Sequence, residues 1–220
     1  MTIQVKICGI NSVESADATV RAGADFAGLM FHPKSPRMLN TEQARTLSAH
    51  MKGRIRLVAV MADPDDAMLS TVVASALPDF IQLHGRESVS RVSAIRSMTG
   101  LPVIKVIAVA EAADLANAAP YEPVADMLMF DAKAPSGATR EGGHGAAFDW
   151  QILKGRTFSR PWLLAGGLNA GNAARAISIS GAPGVDVSSG VETAPGHKSA
   201  EMIRAFVEGV RNANFASAQT

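Results

Sequence analysis

Short apolar runs recur along the chain, separated by longer segments with apolar residues at helical spacing. The runs are IQVKIC at 3–8, FAGLMF at 26–31, IRLVAVM at 55–61, FIQLH at 80–84, PVIKVIAV at 102–109, MLMFDA at 127–132, WLLAGG at 162–167 and GVDVSS at 184–189. Most are rich in Val, Ile, Leu and Phe, too short for helices, and several lack apolar–polar alternation. That pattern predicts parallel strands covered on both faces. VESADATVRAGA, TEQARTLSAHM, PDDAMLSTVVASA, ESVSRVSAIRSM, AEAADLANAA, GNAARAISISGA and KSAEMIRAFVEGVRNA predict the intervening helices. Helix starts are marked by Asn11–Ser12, Asn40–Thr41 and Asp63–Pro64, and stops by Gly23, Gly100 and Gly181. The sixth unit departs from the pattern. After Asp131 comes a polar, Gly-rich stretch, KAPSGATREGGHGAA, then only a short helical piece around 149–154.

Alternating strands and helices predict a parallel sheet. Eight units of about 27 residues each fit a small (β/α)8 barrel. The fold class is therefore α/β, a (β/α)8 TIM barrel, read as a single domain over residues 1–220. A six-stranded doubly wound sheet would leave two strands unexplained, and no linker divides the chain.

Composition narrows the function classes. Charged residues make up 19% and apolar residues 47%, which suits a large buried core and disfavours disorder. The net charge of +1, without a basic block, speaks against a nucleic-acid partner. The lone cysteine cannot form an internal disulfide and suits a reducing compartment. The N-terminus lacks signal-peptide features, and no apolar run approaches the roughly 18 residues of a membrane span. A cytoplasmic protein, without membrane attachment, is expected. The five histidines are scattered, with no HxH, HExxH or CxxC, so no metal site is expected.

In such a barrel, chemistry sits at the carboxyl ends of the strands. Strand one ends in Cys8–Gly9, and strand two leads through Phe31 to Arg37. Strand four ends at Gln82 to Gly85, strand six at Asp131, strand seven at Gly166–Gly167, and strand eight runs from Asp186 to Gly190. Cys8 is either a small buried apolar residue or a reactive thiol. Asp131 is a helix cap, a salt-bridge partner or an acid. Arg37 either clamps an anion bidentately or is a solvated surface residue. His84 reads first as a structural histidine. Gly166, Gly167, Ser188, Ser189 and Gly190 are either ordinary turns or the phosphate site that loops after strands seven and eight commonly form.

The motifs KICGI at 6–10, GADFAGLMF at 23–31, SPR at 35–37, QLHG at 82–85, FDA at 130–132, GGHGAAFDW at 142–150, LAGGL at 164–168, GVDVSSGVE at 184–192 and PGHKS at 195–199 resemble, in order, those of the phosphoribosylanthranilate isomerases of tryptophan biosynthesis. The resemblance covers residues 6 to about 199. It implies a (β/α)8 isomerase that converts N-(5-phosphoribosyl)anthranilate to 1-(2-carboxyphenylamino)-1-deoxyribulose 5-phosphate by an Amadori rearrangement. It also implies a small-molecule substrate and no cofactor. Cys8 matches the family's general base and Asp131 its general acid. Arg37 matches the residue holding the anthranilate carboxylate, and His84 is placed at the substrate. Gly166, Gly167, Ser188, Ser189 and Gly190 match the phosphate site. His144 stands where a hydroxyl residue is usual. Monomer and homodimer both remain open. Other readings are a different phosphosugar barrel or a non-catalytic binding barrel. The epimerases want metal-binding His and Asp, and the histidine-pathway isomerase wants an aspartate where Cys8 stands.

The acid role requires surroundings that favour a protonated carboxyl, since an ordinary Asp is ionised at pH 7. The base role calls for a nearby cation that favours the thiolate. Lys6 lies two positions before Cys8, so strand alternation puts both on the inward face. Asp186 lies on strand eight, which neighbours strand one once the barrel closes, and is expected to pair with Lys6 inside. The alternative has Lys6 snorkelling among the outer helices.

Overall fold

The computed structural model describes residues 2–133 and 147–217, with the side chains of 214–217 left aside. His144 lies outside the described residues. Eight parallel strands form a closed barrel in chain order. They are β1 (Gln4–Cys8), β2 (Phe26–Met30), β3 (Arg56–Met61), β4 (Phe80–Leu83), β5 (Val103–Val109), β6 (Met127–Ala132), β7 (Trp162–Leu164) and β8 (Gly184–Val187). The β1–β8 seam closes it, with Lys6 in register with Asp186. This is the predicted (β/α)8 architecture. The seventh and eighth strands are shorter than their apolar runs, because Gly166–Gly167 and Ser188–Ser189 turn away at the rim.

Alternation along the strands explains two separate cores. One side-chain set, including Phe26, Val58, Val60, Ile104, Val106, Met127, Met129 and Leu163, fills the barrel interior with Cys8 and Ala165. The opposite set packs outward against the helices as a larger apolar layer. Strand residues are thus buried on both sides, which is why the runs lack a polar face.

The helices are α1 (Val13–Arg21), α2 (Thr41–Met51), α3 (Asp66–Ala76), α4 (Val89–Thr99), α5 (Ala173–Ser180) and α6 (Ala200–Ser217). Ser12 and Asn40 cap α1 and α2 as expected. The α3 cap is Asp65, two residues beyond the expected start, its carboxylate accepting from Met68 N–H. Gly100 and Gly181 end α4 and α5 in the left-handed conformation, whereas α1 ends on Ala22 with Gly23 just beyond it. The expected fifth helix is instead a 3-10 segment, Ala112–Tyr121. Asp114 accepts from the N–H groups of Ala110 and Glu111 in a capping box that opens the segment, and Pro120, which cannot donate, stands at its end. The piece near 149–154 is also 3-10, Trp150–Leu153. After β8, a 3-10 turn (Ser189–Val191) leads into a hairpin of β9 (Glu192–Ala194) and β10 (His197–Lys198), an element absent from the sequence expectation.

Candidate active site

Strand β1 delivers Cys8 to the carboxyl rim, 5% exposed, with Lys6 two residues deeper and fully buried. Lys6 Nζ donates to Asp186 Oδ1 at 2.7 Å. The inward placement therefore holds and the snorkelling alternative does not. Burial opposes the ammonium charge, but Asp186 and Cys8 outweigh it, so the Lys6 pKa sits above its ordinary value. The expectation for the thiol needs correction. Burial pushes the Cys8 pKa up; Lys6 and Lys198 pull it down, and Asp186 adds to the rise. The net direction is upward because desolvation of the sulfur is the largest influence and the Lys6 field that opposes it is partly cancelled by its own carboxylate partner.

Gly28 stands opposite Cys8 in the β1–β2 register. A Cβ there would lie 3.0 Å from Cys8 Sγ and 3.2 Å from Lys6 Nζ. The glycine thus makes room for thiol and ammonium together. Nothing in an all-apolar run singles it out; only pairing with β1 does.

Asp131 is the penultimate residue of β6, 8% exposed. Its Oδ1 accepts from Ala132 N–H at 2.8 Å, and Oδ2 lies 3.2 Å from His84 Nε2. His84 therefore lines the cleft and also touches the carboxyl read as the acid. Gly166, at φ +87°, presses close behind: a Cβ would fall 2.7 Å from Ala132 N and 3.0 Å from Asp131 Oδ1.

Arg37 is 3% exposed, which rules out the solvated-surface reading. Its Nε and Nη2 both donate to Glu192, each at 2.6 Å. The bidentate pair is thus made with a protein carboxylate, which takes this edge of the guanidinium. Nη1 has no partner among the described residues. Burial works against the Arg37 charge, and Glu192 more than restores it, so the pKa is raised. Glu192 in turn accepts from Lys198 Nζ at 2.7 Å, and Lys198 also donates to the Ser188 carbonyl at 2.9 Å. Burial alone would raise the Glu192 pKa; the two cations hold it below the ordinary 4.5. Glu192 and Lys198 lie in recognised motifs, yet nothing local in sequence signals that they meet Arg37.

These groups surround one cleft, walled by Cys8, Arg37, Gln82, His84, Asp131, Asp186 and Ser188 against apolar Met30, Val60 and Met61. Gln82 Oε1 is buried with no partner among the described residues. Of the five residues read as an anion site, Ser188 belongs to this wall. The others form the turns after β7 and β8. The N–H groups of Gly166 and Gly167 donate to nothing among the described residues, whereas the Gly167 carbonyl accepts from Asn172 Nδ2 at 2.9 Å. Gly190 is required by packing, because any Cβ would overlap the Leu168 carbonyl. Among the described residues, no cluster of His, Cys, Asp or Glu could hold a metal ion, and no helix is long and apolar enough to cross a membrane.

A thiol, a carboxyl group and a buried arginine line one cleft at the carboxyl rim of a closed parallel barrel, the place where (β/α)8 enzymes carry their chemistry. Comparison with known proteins narrows the class. The family model described as N-(5'phosphoribosyl)anthranilate (PRA) isomerase matches residues 5–209, and the chain belongs to that family. Relatives named N-(5'-phosphoribosyl)anthranilate isomerase include those of Paramagnetospirillum magneticum, 50% identical over 96% of this chain and 98% of the relative, and Azorhizobium caulinodans, 51% identical over 99% and 95%. The phosphoribosyl anthranilate isomerase structure from Thermotoga maritima superposes with a TM-score of 0.83 at 31% identity, covering 96% of this chain and all of the other. A structure of the enzyme in complex with reduced 1-(o-carboxyphenylamino)-1-deoxyribulose 5-phosphate gives 0.82 at 30% identity, with the same coverage. The protein is thus an isomerase of tryptophan biosynthesis, and the other phosphosugar barrels are set aside.

Proposed function

We propose that the isomerisation of N-(5-phosphoribosyl)anthranilate to 1-(2-carboxyphenylamino)-1-deoxyribulose 5-phosphate is carried in this chain by Cys8 as base and Asp131 as acid. The observation that supports this is their convergence, with Arg37, on a single cleft. Asp131 gives its proton to the furanose ring oxygen as the bond from C1 to that oxygen breaks, leaving a cationic Schiff base. Cys8 then removes the C2 proton, and the electron pair of that C–H bond neutralises the iminium as an enolamine. Loss of the C2 hydroxyl proton and protonation at C1 give the ketone. No redox partner is needed, because the substrate nitrogen accepts and returns the electron pair.

The raised thiol pKa fits this sequence of events. In the resting site the sulfur holds its proton; a cationic Schiff base arriving beside it adds a positive charge to those of Lys6 and Lys198 and favours the thiolate. Arg37 holds the anthranilate carboxylate, on the support of its place in the cleft wall and of an Nη1 without a partner among the described residues. The N–H groups of Gly166 and Gly167, without acceptors among the described residues, and the turn at Ser188, Ser189 and Gly190 receive the phosphate. His84 orients Asp131 next to the substrate.

The test is turnover followed by the loss of anthranilate fluorescence. Cys8→Ala and Asp131→Asn are each expected to lower kcat by about 10²–10⁴-fold while circular dichroism stays native. Near-wild-type turnover by either folded variant removes that residue from its role.

A further inference from the structure

Glu192 has no part in the reaction above, yet both its oxygens are occupied by cations. Oε1 accepts from Arg37 Nε and from Lys198 Nζ, at 2.6 and 2.7 Å. Oε2 accepts from Arg37 Nη2 at 2.6 Å and from Gly196 N–H at 3.3 Å. The Glu192 and Lys198 side chains are 3% and 1% exposed. On its other flank, the Arg37 stem crosses Gly9, where any Cβ would overlap Arg37 Cδ. The guanidinium is thus held by Glu192 and its stem by Gly9, while Nη1 has no partner among the described residues and the residue lines the cleft. The hairpin that carries Glu192 is itself tied to the loop after β1, where Asn11 Nδ2 donates to the Gly196 carbonyl at 2.8 Å, and packs on the Arg37 loop, where a Cβ at Gly196 would be 2.9 Å from the Pro36 carbonyl.

A purely structural ion pair would be neutral. Here one carboxylate faces two buried cations; burial pulls the Lys198 pKa down while Glu192 pushes it up, and with Lys198 protonated this corner of the cleft carries a net positive charge that suits an anion. We propose that Glu192 is a positioning residue that aims Arg37 at the carboxylate of the substrate's aromatic ring, with Lys198 keeping the corner cationic. This rests on Arg37 being the carboxylate anchor. Arg is suited to the task because its fork is planar, and a fork whose orientation is set beforehand loses little entropy on binding.

The experiment compares two ligands by calorimetry on the full chain: reduced 1-(o-carboxyphenylamino)-1-deoxyribulose 5-phosphate, and the same compound lacking the ring carboxylate. Glu192→Gln is expected to weaken the first about tenfold and the second less than about twofold, since an amide no longer matches the fork. Equal weakening of both ligands, or of neither, overturns the proposal. Arg37→Ala tests the underlying reading separately. If it does not discriminate between the ligands, the anchor assignment fails. If it discriminates and Glu192→Gln binds both as wild type does, the anchor stands and the positioning role falls. Should Glu192→Gln fold poorly, the double variant Glu192→Gln/Lys198→Met keeps the corner's net charge and is judged by the same ratio.

Discussion

Lys6 and Asp186 face one another across the seam that closes the barrel, and their ion pair, 2.7 Å long, sits one side-chain layer deeper than Cys8. Lys6 pulls the thiol pKa down and Asp186 pushes it up. Lys6→Met removes the first influence and leaves the second, so the Cys8 pKa should rise further. A base works deprotonated, so the acidic limb of kcat/KM is expected to move to higher pH. Because an unpaired buried carboxylate is costly, on the order of 3–5 kcal/mol, Lys6→Met/Asp186→Asn serves as the companion variant. An unshifted acidic limb in folded Lys6→Met would show that the pair has no electrostatic hold on the base.

His84 Nε2 lies 3.2 Å from Asp131 Oδ2. If its task is to hold that carboxyl, His84→Ala should lower kcat by roughly tenfold, at the low end of what a positioned acid contributes, and leave KM near wild type. Steady-state kinetics separate the roles. A rise in KM with kcat preserved would make His84 a substrate contact instead.

Gly28→Ala adds a methyl 3.0 Å from Cys8 Sγ and 3.1 Å from Cys8 Cα. One neighbour is backbone and cannot swing aside, so stability should drop by about 1–3 kcal/mol, read from chemical denaturation. Activity should fall by more than stability alone predicts, since the displaced sulfur is the proposed base. A fully active, fully stable Gly28→Ala protein would mean that β1 and β2 yield readily here.

At Gly166 an alanine meets two obstacles, a φ of +87° and a Cβ 2.7 Å from Ala132 N. Gly166→Ala should lose more than about 1 kcal/mol of stability. It should also weaken competitive inhibition by inorganic phosphate, because the N–H groups of the turn would shift. Unchanged phosphate inhibition in the folded variant would move the anion site away from this turn.

How far the sequence could be read depended on the range of the physics involved. Eight strands were legible because strands buried on both faces must be apolar throughout, and that signature is local. Caps at Ser12 and Asn40 were legible for the same reason: the side chain bonds the backbone three residues on. The 3-10 character of Ala112–Tyr121 was not, since its alanines and its Glu111–Asp114 capping box read equally well as the start of an α-helix. Lys6 and Asp186 were paired from alternation and barrel closure alone, two rules that act at any sequence distance once the topology is granted. No comparable rule leads from Arg37 to Glu192, 155 positions away, because their meeting depends on a hairpin that leaves the barrel and returns over the second loop.

The sequence by itself determined the barrel, the family and the rim positions of Cys8, Asp131 and Arg37, because period-2 alternation and ordered motifs are written along the chain. Tertiary structure alone decided what surrounds each group. Burial outweighs Lys6 at the Cys8 thiol, His84 lands on Asp131, Gly28 opens space for two side chains of the neighbouring strand, and Glu192 occupies one edge of Arg37. Desolvation, through-space charge and steric room depend on distances among residues far apart in sequence, and those distances exist only once the barrel has closed.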